Sequence, residues 1–242
     1  MFLYYAFAGF VVIMLARFIR RTDLYQDVCV GTFVMAFMMV IGSLGPLEGF
    51  LRPLTWDARL RAVDLFLRLD GFAFARFCGR SDLLSRILSV TYSALPLAFS
   101  IAWVIDRSKL MLRSATIGGL LAFPIYLLVP ACGPKYAFAT YPWGDVASSG
   151  LVSVPTIYAR NCVPSMHFSW ALLLAMNARK NLWKAVLLVY SGLMAMATVA
   201  GGEHYFIDLI LAIPFCFIVQ KIAELWPLRK PLPEAAEVAD AL

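Results

Sequence analysis

Long apolar runs constrain this chain more than any other feature of it. About seven stretches, roughly 1–20, 28–47, 84–105, 113–132, 164–178, 184–201 and 204–224, read as membrane-crossing helices, because about 20 residues at helical rise span the hydrocarbon layer. Composition agrees: 62% of the 242 residues are hydrophobic and 15% are charged, against about a quarter charged in soluble domains. The expected fold class is all-α, a polytopic transmembrane helix bundle of about six to seven spans.

The net charge of +6 is not gathered into one patch, which excludes nucleic acid as a partner. Basic residues instead fall between runs: Arg17, Arg20 and Arg21, then Arg107, Lys109 and Arg113, then Arg179, Lys180 and Lys184, then Lys221, Arg229 and Lys230. With seven crossings all these clusters share one side, which the positive-inside rule makes cytoplasmic. The N-terminus is then outside. It carries no basic stretch before its apolar run and reads as a retained helix rather than a cleaved signal. The pattern suits a bacterial inner membrane.

The chain divides into N-terminal transmembrane helices (1–50), an interfacial segment (51–83), a catalytic transmembrane domain (84–226) and a cytoplasmic tail (227–242). In the interfacial segment Asp57, Arg61, Asp64 and Arg68 recur at helical spacing with alternating sign, while Leu60, Val63 and Phe66 or Leu67 fall away from them. The expectation is an amphipathic helix in the outer interface, its carboxylates offsetting the arginines one turn away. A linker helix on the bundle with a solvated charged face is the alternative. The cysteines Cys29, Cys78, Cys132, Cys162 and Cys216 lack C-x-x-C spacing and are expected as buried small hydrophobes. A Cys132–Cys162 disulfide across the polar loop 133–163 stays open.

The chain has two histidines, each at the outer end of an expected span. Ionisable groups at membrane depth mark functional sites. His204 and Asp208 are four apart and would share one helix face. The carboxylate can then hold one imidazole nitrogen and leave the other basic, ready to attack phosphorus. Before His167, Pro164 and Ser165 open a span, with proline expected in the first turn and serine at the cap. The free amides there make an anion site, and His167 stands one turn inside, placed to protonate a leaving oxygen.

Pro164-Ser165-Met166-His167 resembles the P-S-x-H motif of the type 2 phosphatidic acid phosphatase superfamily, and His204-Tyr205-Phe206-Ile207-Asp208 resembles its H-x-x-x-D element. The resemblance covers roughly residues 85–224. It implies His204 as nucleophile, Asp208 as its orienting partner and His167 as general acid, with no metal or other cofactor. The substrate implied is a membrane lipid phosphate ester, with an alcohol or water as acceptor.

Two departures stand out. The first family motif, K-x6-R-P, is matched only by Lys135 with Tyr141-Pro142, and the arginine six residues before the second histidine is Thr198 here. Arg160 and Lys135 are the basic residues left to hold phosphate, with Ser165, Asn161 and Tyr136 as further donors, and Glu203 is expected to be solvated. The H-Y-x-x-D wording is similar to the branch of inositol phosphorylceramide and sphingomyelin synthases, which transfer a phospho-headgroup between lipids. A hydrolase using His167, His204 and Asp208 as metal ligands is a further alternative. Another is a lipid transporter with spans broken at Gly118-Gly119, Pro124 and Pro130.

Overall fold

The computed structural model describes residues 2–20, 29, 30, 32, 36, 47–138, 141 and 158–226. These residues form α1 (Phe2–Arg20), α2 (Asp57–Phe66), α3 (Gly71–Gly79), α4 (Asp82–Ser93), α5 (Leu95–Asp106) and α6 (Lys109–Leu128). They continue with the single turn α7 (Pro134–Ala137), then α8 (Met166–Met176), α9 (Asn181–Ala200) and α10 (Phe206–Leu225). The fold is all-α. The expected span at 28–47 lies almost wholly, and the tail 227–242 wholly, outside the described residues.

Among the described residues three helices, α6, α9 and α10, are long and apolar enough to cross a membrane, and α4 with α5, bent by 62°, makes a fourth if the pair is one broken span. Their outward faces carry Leu120, Leu128, Leu182, Val189, Phe217 and Ile218, all exposed, while their inward faces are mostly apolar as well. A helix that is hydrophobic all round needs lipid on its outer side. The chain is a membrane protein.

Short α8 sits in the middle, packed on α5, α6, α9 and α10. Met166, Trp170, Ala171, Leu173, Leu174 and Ala175 are buried there, and the Trp170 indole donates to the Ala115 carbonyl of α6 at 3.0 Å. Gly118 of α6 faces this contact: a Cβ there would lie 3.5 Å from Met166 Cε and 3.6 Å from Leu173 Cδ1, ordinary packing distances. Gly118 therefore serves packing, and α6 runs unbroken through Pro124.

Polar contacts tie the two ends of the bundle. At one end Arg113 donates to the carbonyls of Ala223 (2.8 Å) and Trp226 (2.5 Å), and the Asn177 amide donates to Gln220 Oε1 (2.9 Å). The Arg179 amide reaches Asp106 there at 3.4 Å. The basic residues between α5 and α6, between α8 and α9, and late in α10 gather at this end. Both histidines lie at the other.

Helix α2 corrects the reading of its charges. Asp57 and Asp64 are buried, while Val63, Leu65, Phe66 and Leu67 are exposed, Phe66 to 85%. The carboxylates point into the protein and accept backbone N–H groups, so they neither offset the arginines nor form a solvated face. Of the predicted apolar positions only Leu60 is buried. Burying a carboxylate is costly unless it is fully hydrogen-bonded, and here amides from distant segments supply the bonds. Arg61 is half-buried, with its guanidinium 4.0 Å from the centroid of the Phe72 ring.

The loop after α6 closes against the turn before α10 through two glycines at positive φ, Gly133 (+97°) and Gly202 (+71°). A Cβ on Gly133 would lie 2.5 Å from the Glu203 carbonyl oxygen. Backbone cannot yield as a side-chain tip can. Gly133→Ala is expected to cost about 2–4 kcal/mol from left-handed strain plus the clash, read as a lower melting temperature in detergent. An unchanged melt would show that the two segments are not in register as described.

Candidate active site

Helix α10 begins only at Phe206, with Tyr205 as its N-cap, so His204 lies in the turn before it and not one helical turn from Asp208. The pair still meets, because the Asp208 carboxylate in the first turn folds back. Asp208 Oδ2 accepts the Tyr205 amide at 2.8 Å and lies 3.3 Å from His204 Nδ1. His204 Nδ1 is also 3.0 Å from the Cys162 carbonyl oxygen. A carbonyl can only accept, so Nδ1 carries the ring proton and Nε2 keeps its lone pair. His204 is buried, and its own amide donates to the Thr198 carbonyl at 3.2 Å.

His167 stands across from it in the first turn of α8. The two imidazole centroids are 6.5 Å apart, inclined by 58°. With reacting atoms approaching to about 3–3.5 Å on either side, one tetrahedral phosphorus fits between them. The Tyr92 ring stacks on His167 at 4.0 Å and 19°, which fixes the imidazole plane. Pro164 precedes the cap rather than occupying the first turn, and Ser165 is the N-cap residue without a side-chain capping bond. Its Oγ is buried with no hydrogen-bond partner.

The histidines border a cavity of about 320 Å³ walled by Tyr92, Phe123, Tyr126, Tyr136, Tyr158 and Trp170, with Glu48, Asn161 and Glu203 as polar members. An adjoining cavity of about 400 Å³ shares Tyr92 and Glu203 and is lined by Ser85, Ser89, Ser93, Leu88 and Lys135. Lys135 and Glu203 form an ion pair between the two cavities, each about a quarter exposed. The expectation of a solvated Glu203 is thus corrected. Burial alone would lower the Lys135 pKa, but the Glu203 carboxylate outweighs it and the ammonium is held above its ordinary range.

Arg160 is fully buried. Its Nε donates to the Arg52 carbonyl and its Nη1 to that of Tyr158, both at 3.2 Å. Its neighbours Ala159 and Asn161 line the first cavity, so Arg160 backs that wall from behind. Tyr136, Asn161, His167 and His204 meet in the first cavity and Lys135 borders the second, while Arg160 and Ser165 lie outside both linings.

Cys162, His204 and Asp208 offer donor atoms within 4.8 Å of one another. Each is already hydrogen-bonded in this arrangement. The Cys162 thiol donates to the Glu203 carbonyl (3.2 Å) and burial pushes its pKa well up, while His204 Nδ1 carries a proton toward a carbonyl. Metal ligation needs a thiolate and a free nitrogen lone pair at those atoms. His167 is not in the cluster. Cys132 and Cys162 are both unbridged and buried, and Cys29 is exposed, contrary to its expected burial.

A family model described as the PAP2 superfamily matches residues 58–222, and the chain belongs to that superfamily. No curated protein and no solved structure matches it. Members of the superfamily are generally phosphatases, and membership suggests a phosphatase-like activity.

Glu48 and Tyr92 escaped the sequence reading. Neither belongs to a motif, and each reaches the site only through packing. Burial pushes the Glu48 carboxyl up to about 7, although the Arg160 amide, 3.2 Å away, and the Arg160 charge pull it down. A carboxyl raised in the folded state contributes stability that is complete below its ordinary 4.5 and is lost as pH rises through about 7. Wild type should therefore lose melting temperature over that window relative to Glu48→Gln. Superimposable pH profiles would refute the buried placement of this carboxyl.

Proposed function

We propose that the protein is a lipid phosphatase or phosphotransferase that acts through a phosphohistidine on His204. The observation that carries this is the contact of His204 Nδ1 with the Cys162 carbonyl oxygen at 3.0 Å, which leaves the lone pair on Nε2. With Nδ1–H held between Cys162 and Asp208, the remaining nitrogen is free to act as nucleophile, and both histidines line one cavity.

In the first step His204 Nε2 attacks phosphorus and the ester P–O bond breaks. The departing oxygen takes a proton from His167. In the second step the acceptor hydroxyl gives its proton to His167 and attacks phosphorus, and the P–N bond breaks. Asp208 keeps the attacking imidazole oriented and stabilises the positive charge that develops on it.

Phosphate oxygens are held by Asn161 and Tyr136, by the first-turn amides of α8 beside Ser165, which have no partner within the helix, and by the fields of Lys135 and Arg160. Lys135 can turn from Glu203 toward an incoming anion. The charge on Arg160 acts on Glu48 and Cys132 in the cavity wall. No metal or cofactor takes part.

The substrate is a membrane lipid phosphate ester and the acceptor an alcohol, in the manner of an inositol phosphorylceramide synthase. The aromatic wall supports transfer over hydrolysis, since an acceptor other than water requires water to be kept out. The site faces away from the basic end of the bundle, toward the exterior or periplasm of a bacterial inner membrane.

Purified protein in detergent should release or transfer label from phosphate-labelled phosphatidic acid or phosphatidylinositol in the presence of a strong chelator. His204→Ala should lose at least 10³-fold in kcat, and the wild type should carry acid-labile, base-stable label on the protein. Free labelled phosphate identifies water as acceptor, whereas label moved to ceramide or diacylglycerol identifies transfer. Full turnover by a correctly inserted His204→Ala protein would end this reading.

A further inference from the structure

The first amides of an α-helix have no partner within it. At α10 they are satisfied in an unusual way. The Tyr205 amide goes to the helix's own Asp208 at 2.8 Å. Those of Phe206 and Ile207 go to the two oxygens of Asp64, each at 2.8 Å, from helix α2 more than 140 residues away. A local cap would be a serine, threonine, asparagine or aspartate at position 205. Tyrosine stands there, and its hydroxyl instead donates to Asp57 Oδ1 at 2.8 Å.

Asp57 extends the same arrangement to the loop after α6. Its Oδ1 accepts the Gly133 amide at 3.0 Å and its Oδ2 the Cys132 amide at 3.2 Å. The preceding residue, Ala131, accepts the Cys162 amide at 3.2 Å, and the Cys162 carbonyl in turn holds His204 Nδ1. Two carboxylates about two turns apart on one face of α2 thus grip both segments that fix the nucleophile. Asp57 is 0% and Asp64 3% exposed.

We propose that Asp64, assisted by Asp57, is a positioning residue for the His204–Asp208 pair: α2 is a clamp that sets the location and rotation of the start of α10 and thereby aims the imidazole. One oxygen on each of two successive amides defines an orientation, which a single capping bond does not. Asp64 touches neither imidazole. Its effect on turnover passes through Asp208, whose carboxylate is one residue beyond the clamped amides. The catalytic part of this inference rests on His204 being the nucleophile; the clamp itself does not.

The test uses the full chain in detergent or nanodiscs. Only two histidines are present, so ¹⁵N-histidine labelling with a His167→Gln control assigns the His204 ring N–H. That signal should be slow to exchange in wild type and exchange at least tenfold faster in Asp64→Ala. With phosphatidic acid as probe, Asp64→Ala should lose about 10²-fold in kcat, the scale of a misplaced reacting group, with KM changed less than threefold. Asp64→Asn, which keeps one acceptor oxygen, should recover part of that loss. Tyr205→Phe, which removes one hydroxyl and leaves α10 intact, supplies the comparison if Asp64→Ala does not fold, and should show the same changes to a smaller degree.

Unchanged N–H exchange in Asp64→Ala, or in Tyr205→Phe where that comparison is needed, overturns the clamp whatever the reaction is. A lower melting temperature with kcat within twofold of wild type makes Asp64 structural only and overturns the positioning role. Changed exchange together with a fully active His204→Ala would retain the clamp and remove the proposed reaction.

Discussion

The unpaired amides at the start of α10 are the constraint around which the rest of the site is arranged. In a buried, largely apolar setting a polar group without a partner is costly. The chain meets that need with carboxylates. Asp208 and Asp64 take the first amides, and the Asp208 carboxylate then also reaches His204. Helix capping and histidine orientation are therefore one hydrogen-bond network. A change to either is felt by the other.

Around that network the bundle supplies exclusion and placement. Central α8 brings His167 to the same end as His204, and α9 returns the chain so that Thr198 can accept the amides of Glu203 and His204. The loop Ala131–Gly133 and the turn Gly201–Glu203 press together closely enough to require glycine. Aromatic side chains from several helices close the cavity. The basic residues are held at the opposite end, where Arg113 ties α6 to the last turn of α10.

The motifs of the candidate site are local. Pro164 to His167 and His204 to Asp208 are short segments whose chemistry follows from residue type and spacing, and the fold brings the two histidines within 6.5 Å of each other by ring centroid. Their local geometry was less legible. A four-residue interval suggested one helix face, whereas the helix begins after His204, because Tyr205 takes extended backbone and its amide is captured by Asp208. Periodicity cannot tell a helical turn from a capped turn that places the same side chains together.

Apolar run length by itself determined that this chain is a helical membrane protein, since only helices satisfy their own backbone in lipid over such lengths. Motif spacing by itself singled out His167, His204 and Asp208. Tertiary structure alone decided which charges serve the interior. The alternating Asp and Arg of α2 look like a solvated face, yet Asp57 and Asp64 turn inward and Leu65, Phe66 and Leu67 turn outward. Most partners of those carboxylates are backbone amides, which every sequence contains and none advertises. Only the packed chain shows where amides are left unpaired and which distant side chain reaches them.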